Sequence, residues 1–200
     1  MQLHKPDVVT AAAAILDTYG LADLTMRRVA RELDVTPGAL YWHFPNKQAL
    51  LGAVADRILE PTQVQCAAGR WQDRVLAIGS LLREALLSHT DGAELVSASF
   101  AAGQSAAMIR TLARLTDAAD EAAVPVEQAE LAARTVVYYV LGFTADEQSR
   151  LQWDAAGALP DEQSVLSTDP SARFAFGLHL LVAGMAAARV ESEISVGSSE

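Results

Sequence analysis

TMRRVARELDVTPGALYWHFPNK, residues 25–47, decides the fold of the N-terminal part of this 200-residue chain. Thr25 is placed to cap a helix whose apolar residues Met26, Val29, Ala30 and Leu33 recur at helical spacing. Asp34 falls where a tight turn needs positive φ, a conformation few residues other than Gly accept. Thr36 is expected to cap a second helix, with Pro37 at its first position, where a missing N–H costs nothing. Pro45 ends that helix after about two turns. So short a helix adds little to a core. Leu40 and Phe44, four apart, supply its buried side, and Gly38, Tyr41, Trp42 and His43 are left without an evident packing role.

A DNA major groove would give them one. Gly38 and Ala39 carry almost no side chain, so the backbone can approach phosphates or base edges closely. Ala39 offers a methyl to thymine, and Arg27 on the preceding helix can grip a guanine edge with two hydrogen bonds. Tyr41, Trp42, His43 and Lys47 are long groups with polar ends, suited to phosphate contacts that fix register. The expected DNA-contact set is Thr25, Arg27, Thr36, Pro37, Gly38, Ala39, Tyr41, Trp42, His43 and Lys47. The competing reading is that Tyr41 and Trp42 pack the small domain and Lys47 merely starts a solvated helix.

The run resembles the N-terminal signature of the tetracycline-repressor (TetR) family, T-x-x-x-[VI]-A-x-x-L-x-V-[TS]-x-G-x-[LI]-Y-x-H-F-x-x-K. It is carried here by Thr25, Val29, Ala30, Leu33, Val35, Thr36, Gly38, Leu40, Tyr41, His43, Phe44 and Lys47. LYWHFPNKQALL is similar to the tetracycline repressors themselves, Trp42 included. WQD at 71–73, ALLSHTDGA at 85–93, GFTADEQ at 142–148 and RFAFGLHLLVAG at 173–184 resemble the same subfamily's regulatory domain, more loosely. The resemblance spans nearly the whole chain. It implies an all-α fold, with an N-terminal three-helix helix-turn-helix head and a C-terminal helical body for ligand binding and dimerisation. The expected division is a head at 1–47, a connecting helix at 48–68 and a body at 69–200. The implied function is a homodimeric transcriptional regulator, a repressor that a small-molecule effector releases from a palindromic double-stranded DNA operator.

The same resemblance bears on the effector. Tetracycline repressors bind a magnesium-chelated drug whose metal is held by a histidine shortly after the DGA turn. Here that place is Val96, and an apolar side chain cannot ligate a hard cation. The family's pocket threonine matches Ser99, and the arginine after it is Phe100. A pocket histidine matches Tyr138, and a pocket acid matches Asp146. An apolar or aromatic effector is therefore expected, with no cofactor and no metal. His89, Val96, Ser99, Phe100, Gln104, Tyr138 and Asp146 are the pocket candidates, ordinary packing or a solvated helix face being the competing reading for each. Pro37 stands where the tetracycline repressors carry a polar base-reading residue, so their operator does not transfer to this chain.

Composition agrees with a helical, cytoplasmic protein. About half the residues are hydrophobic, with only seven prolines, and alanine is abundant. The single Cys66 has no disulfide partner in the chain. MQLHKPDVV lacks the basic-then-apolar pattern of a signal peptide. The apolar run 174–188 contains His179 and is short for a bilayer span, so no membrane partner is expected.

The net charge of −10 opposes DNA affinity. It is unevenly spread: residues 1–60 carry six basic and seven acidic side chains, and the rest nine and eighteen. Within 25–47 there are four basic and two acidic residues. Non-specific affinity, which comes from phosphate neutralisation, should be modest, and the acidic body can repel DNA and turn the head towards it. The charge also sustains a second reading, a helical ligand-sequestering protein with little DNA binding.

Caps and breakers place the other helices at 7–19, from Asn46 to about Pro61, and at about 71–88, 91–98, 104–121, 126–152 and 170–190. A loose junction at 66–69, an irregular stretch at 154–169 and a frayed end at 191–200 are expected. Tyr138, Leu141 and Ala145 share one side of a helix, with Gly142 allowing close approach. Phe174, Gly177, Leu181, Gly184 and Ala188 form a stripe on the last helix. Shared between two copies, these stripes would make a four-helix homodimer interface. Its candidates are Leu141, Gly142, Phe174, Gly177, Leu181 and Gly184, the alternative being burial in the monomer's own core. Two heads would then meet a palindromic site about one DNA turn apart. Ser88, His89 and Asp91 adjoin in sequence but cannot form a triad, whose members converge across a fold. No phosphate loop, HExxH or Cys/His cluster is present, and no enzyme activity is expected.

Overall fold

The computed structural model describes residues 3–63, 69–158 and 169–197, with side chains to residue 188. The expected junction at 66–68 and most of the 154–169 stretch lie outside the described residues. Every regular element among the described residues is helical. They are α1 (Lys5–Tyr19), α2 (Met26–Glu32), α3 (Pro37–Tyr41), α4 (Lys47–Ile58), a 3-10 turn Glu60–Gln63, α5 (Trp71–Leu87), α6 (Gly92–Ala101), α7 (Ala106–Glu121), α8 (Val126–Ala155) and α9 (Pro170–Gly197). α1 starts two residues before the expected boundary, because the His4 N–H donates to Asp7 Oδ2 at 3.0 Å and Pro6 suits a first turn. α9 runs past the expected end at 190.

Two compact units divide the chain. One comprises residues 1–63 and 84–109, the other 64–83 and 110–200. Residues 84–109, which the sequence reading placed in the body, thus cluster with the head helices.

In the first unit α1 to α4 enclose a core of Val8, Ala12, Ile15, Leu16, Leu24, Val29, Leu40, Phe44, Leu50 and Val54, all buried. α6 packs on α4. Gly52 of α4 lies so close to the α6–α7 corner that a methyl there would sit 2.3 Å from the Gln104 carbonyl oxygen. One turn on, Asp56 Oδ1 accepts from Ser105 Oγ at 2.7 Å and from the Ala107 N–H at 2.8 Å, while Ser105 Oγ accepts from the Met108 N–H at 3.1 Å. Two N–H groups that the start of α7 cannot use internally are so satisfied.

In the second unit α9 packs on α8. Tyr139, Phe143 and Phe174 cluster with ring centroids 5.3 to 5.8 Å apart, and Tyr139 Oη donates to the Phe174 carbonyl at 2.8 Å. Residues 170–188 are apolar and long enough to meet the length and hydropathy of a membrane span, a wider window than the fifteen residues read from sequence. Phe174, Leu178, Val182 and Met185 are buried in this unit, and 22% of that window is buried in all.

Candidate nucleic-acid interface

The helix-turn-helix is built as its sequence dictates, with one exception. Thr25 Oγ1 accepts from the Arg28 N–H at 3.1 Å and caps α2. Asp34 takes φ 52°, and the Val35 N–H returns to the Ala30 carbonyl at 2.9 Å, closing the end of α2. Thr36 sits at the N-cap of α3 in extended conformation, but its side chain makes no capping bond; its carbonyl accepts the Ala39 N–H at 3.0 Å instead. Pro37 has no N–H to satisfy, and the Ala39 N–H that the hydroxyl would take is already held by that carbonyl. Asn46 Oδ1 caps α4 through the Ala49 N–H at 2.8 Å.

Leu40 and Phe44 are buried and seat α3 on the core. Trp42 is 90% exposed and Tyr41 51% exposed. Thr25, Arg27, Thr36, Pro37 and Gly38 are exposed, and Ala39, His43 and Lys47 are half-buried. The packing alternative therefore fails for Trp42. Lys5 Nζ lies 5.7 Å from the Phe44 ring centre, which adds a cation near the exit of α3 that sequence reading did not single out.

Neighbouring arginines do different work. Arg27 projects from α2 into solvent. Arg28 pairs with Asp23, and its guanidinium carbon lies 3.7 Å from the Tyr19 ring centre, so it holds the end of α1 to the start of α2. A salt-bridge partner five residues away and an aromatic nine residues away gave no signal in the sequence.

A family model for the tetR family of bacterial regulatory proteins matches residues 8–54, and one for the tetracyclin repressor-like C-terminal domain matches residues 65–161. The class E tetracycline repressor of Escherichia coli is 31% identical over 201 residues, covering 93% of this chain and 92% of its own. This chain belongs to the tetR family. It is a DNA-binding transcriptional regulator. It is also similar to the crystal structure of Mycobacterium smegmatis BioQ, with TM-score 0.87, 60% identity and coverage of 94% of this chain and 99% of that one. A structure of BioQ with its double-stranded DNA operator matches with TM-score 0.81, 57% identity and coverage of 93% and 99%.

Within this tetR-family chain the other candidate residues fall in distinct settings. His89 Nδ1 is 2.9 Å from Asp17 Oδ1, so its ring is engaged with α1. Val96 is buried, Phe100 half-buried and Gln104 exposed. Ser99 is 2% exposed, and its Oγ is the one buried side-chain polar atom without a hydrogen-bond partner among the described residues. Such an atom costs about 1–3 kcal/mol unless something supplies a partner. Tyr138 is 55% exposed and Asp146 is exposed, pairing with Arg150 at 3.0 Å. Among the described residues no group of three His, Cys, Asp or Glu is placed to hold a metal.

Of the interface candidates, Leu141 and Phe174 are buried within their own unit. Gly177 is held there too, since a methyl on it would meet Tyr139 Oη at 2.2 Å. Leu181 is half-buried, whereas Gly142 and Gly184 are exposed with open space beside them. The outward apolar row of α9 is instead Phe176, 68% exposed, and Leu180, 58% exposed, with Leu131 and Tyr138 outward on α8.

Proposed function

We propose that the protein is a cytoplasmic homodimeric repressor that binds a palindromic operator through its two heads and leaves it when a small molecule occupies the body. The observation that carries this reading is the exposed exit of α3. A five-residue helix is held on the core by Leu40 and Phe44 while Trp42 stands 90% exposed beside Tyr41. Tyr41 and Trp42, exposed as neighbours and each with an apolar body and a polar tip, offer a surface to a partner. The operator-bound BioQ structure supports the choice of double-stranded DNA. The contact residues are Thr25, Arg27, Thr36, Pro37, Gly38, Ala39, Tyr41, Trp42, His43 and Lys47.

The outward residues Leu131, Tyr138, Phe176, Leu180 and Gly184 support a homodimer built on α8 and α9. The effector is apolar or aromatic: Val96 offers no ligand to a cation, and Ser99 Oγ supplies one polar contact. The protein acts by binding and catalyses no reaction.

The test is recovery of sites from a random double-stranded DNA pool, followed by affinity measurements across salt concentrations and sedimentation analysis. Recovered sites should be palindromic, bind one dimer and weaken steeply with salt. Absent or salt-independent binding would favour the ligand-sequestering reading.

A further inference from the structure

α6 is an effector-body helix in the sequence reading, yet its first end is fastened to the head. Asp91, at its N-cap, takes φ 52° and ψ 24° and makes no capping bond to its own helix. Its Oδ2 accepts instead from the Leu21 N–H at 2.8 Å, seventy residues away. Gly20, at φ 79°, has no side chain to obstruct that carboxylate: a methyl there would lie 2.8 Å from the same oxygen. The neighbouring residues reciprocate. Asp17 Oδ1 is 2.9 Å from His89 Nδ1 and accepts from the Thr90 N–H at 3.3 Å, and Thr90 Oγ1 donates to the Asp17 carbonyl at 3.0 Å.

Asp is among the few side chains that accept positive φ, and here that backbone aims its carboxylate at Leu21, the residue from which the chain runs to Thr25 and the start of α2. Arg27 lies two residues into that helix. From this we propose that Asp91, with Gly20 as its seat, is a positioning residue for DNA reading: it sets where α2 begins and so where Arg27 points. Asp17, His89 and Thr90 complete the clasp. Just past the other end of α6, Gln104 packs closely on Gly52 of α4, so the head meets α6 near both of its ends. A residue of α6's own N-cap thereby tunes operator recognition without touching DNA.

The proposal rests on the DNA-binding reading, and two readouts keep the failures apart. The first is amide hydrogen exchange at Leu21 in the full-length protein without DNA. Asp91→Gly accepts the positive φ but removes the acceptor, so Leu21 exchange should quicken about tenfold or more, the loss expected for one charge-assisted hydrogen bond. Asp91→Asn tolerates the same backbone and keeps an acceptor oxygen, so its Leu21 exchange should stay near that of the unmodified protein. The second readout is affinity for sites that the unmodified protein selects from random double-stranded DNA. Asp91→Gly should bind about tenfold more weakly with an unchanged salt slope, since no phosphate contact is removed, and Asp91→Asn should restore most of the loss. Unchanged Leu21 exchange in Asp91→Gly would overturn the proposal. So would quickened exchange with undiminished affinity, or an Asp91→Asn protein as impaired as Asp91→Gly.

Discussion

Arg83 and Glu147 face each other as a two-bond ion pair, Nε to Oε2 at 2.8 Å and Nη2 to Oε1 at 2.6 Å, with side chains only 11% and 7% exposed. The pair joins α5 to α8, and the guanidinium also lies 5.1 Å from the Phe174 ring centre on α9. Three helices of the second unit therefore meet at one desolvated charge. Such a pair holds geometry more than it adds stability, because removing two charges from water offsets most of their attraction.

Removing one partner should be far worse than removing both. Glu147→Ala is expected to destabilise the protein by about 3–5 kcal/mol, since it strands a buried guanidinium. Arg83→Met with Glu147→Leu should regain most of that loss, being apolar and of similar volume. Urea unfolding of Glu147→Ala and of the double variant checks this. A double variant no more stable than Glu147→Ala would mean the pair contributes more than it costs.

The corner between α7 and α8 offers a gain. Ala123 adopts φ 60°, with the Val124 N–H bonded to the Ala119 carbonyl at 3.1 Å, the arrangement in which helices usually end on Gly. An alanine there carries a Cβ penalty of about 1–2 kcal/mol. Ala123→Gly should raise stability by up to about 1 kcal/mol once the greater freedom of unfolded glycine is subtracted. Thermal unfolding reads this as a rise of a few degrees.

Burial pushes the Tyr139 phenol above its ordinary value, with the Arg83 charge opposing. The unfolded phenol therefore loses its proton first as pH rises. Above about pH 10 the unfolded state binds fewer protons than the folded one, and this group's contribution to stability falls until the folded phenol also ionises. Tyr139→Phe should lose about 0.5–1.5 kcal/mol at pH 7, because the bond to the Phe174 carbonyl goes, and should show a shallower loss between pH 9 and 11. Equal alkaline slopes in the two proteins would contradict the assignment.

What the sequence disclosed depended on how local the signal was. Thr25, Asp34, Asn46 and the Leu40–Phe44 pair act within a few residues of themselves, so caps, turn and seat were all legible. Thr36 misled because its own carbonyl takes the Ala39 N–H, the donor its hydroxyl would otherwise have capped. The links from Asp91 to Leu21, Asp17 to His89, Asp56 to Ser105 and Arg83 to Glu147 span about fifty to seventy residues, and no periodicity encodes them. On α9 spacing identified an apolar helix, but Phe174 and Gly177 turned inward because Tyr139 fills the space beside them.

Arg27 and Arg28, adjacent in sequence, should separate recognition from folding. Arg28→Ala removes the Tyr19 stacking and the Asp23 pair, and is expected to cost about 0.5–1.5 kcal/mol of stability. Arg27 is exposed and makes no ion pair within 4.0 Å among the described residues, so Arg27→Ala should shift unfolding by no more than about 0.5 kcal/mol. Its effect should fall on the DNA: discrimination at one base pair relaxed by about 1–3 kcal/mol. Trp42→Ala should behave otherwise again, leaving stability intact because the ring is 90% exposed and, as the proposed backbone contact requires, weakening all sites alike. Binding selections run in parallel with urea titrations distinguish the three. A change of base preference in Trp42→Ala, or none in Arg27→Ala, would reverse the roles given to α3 and α2.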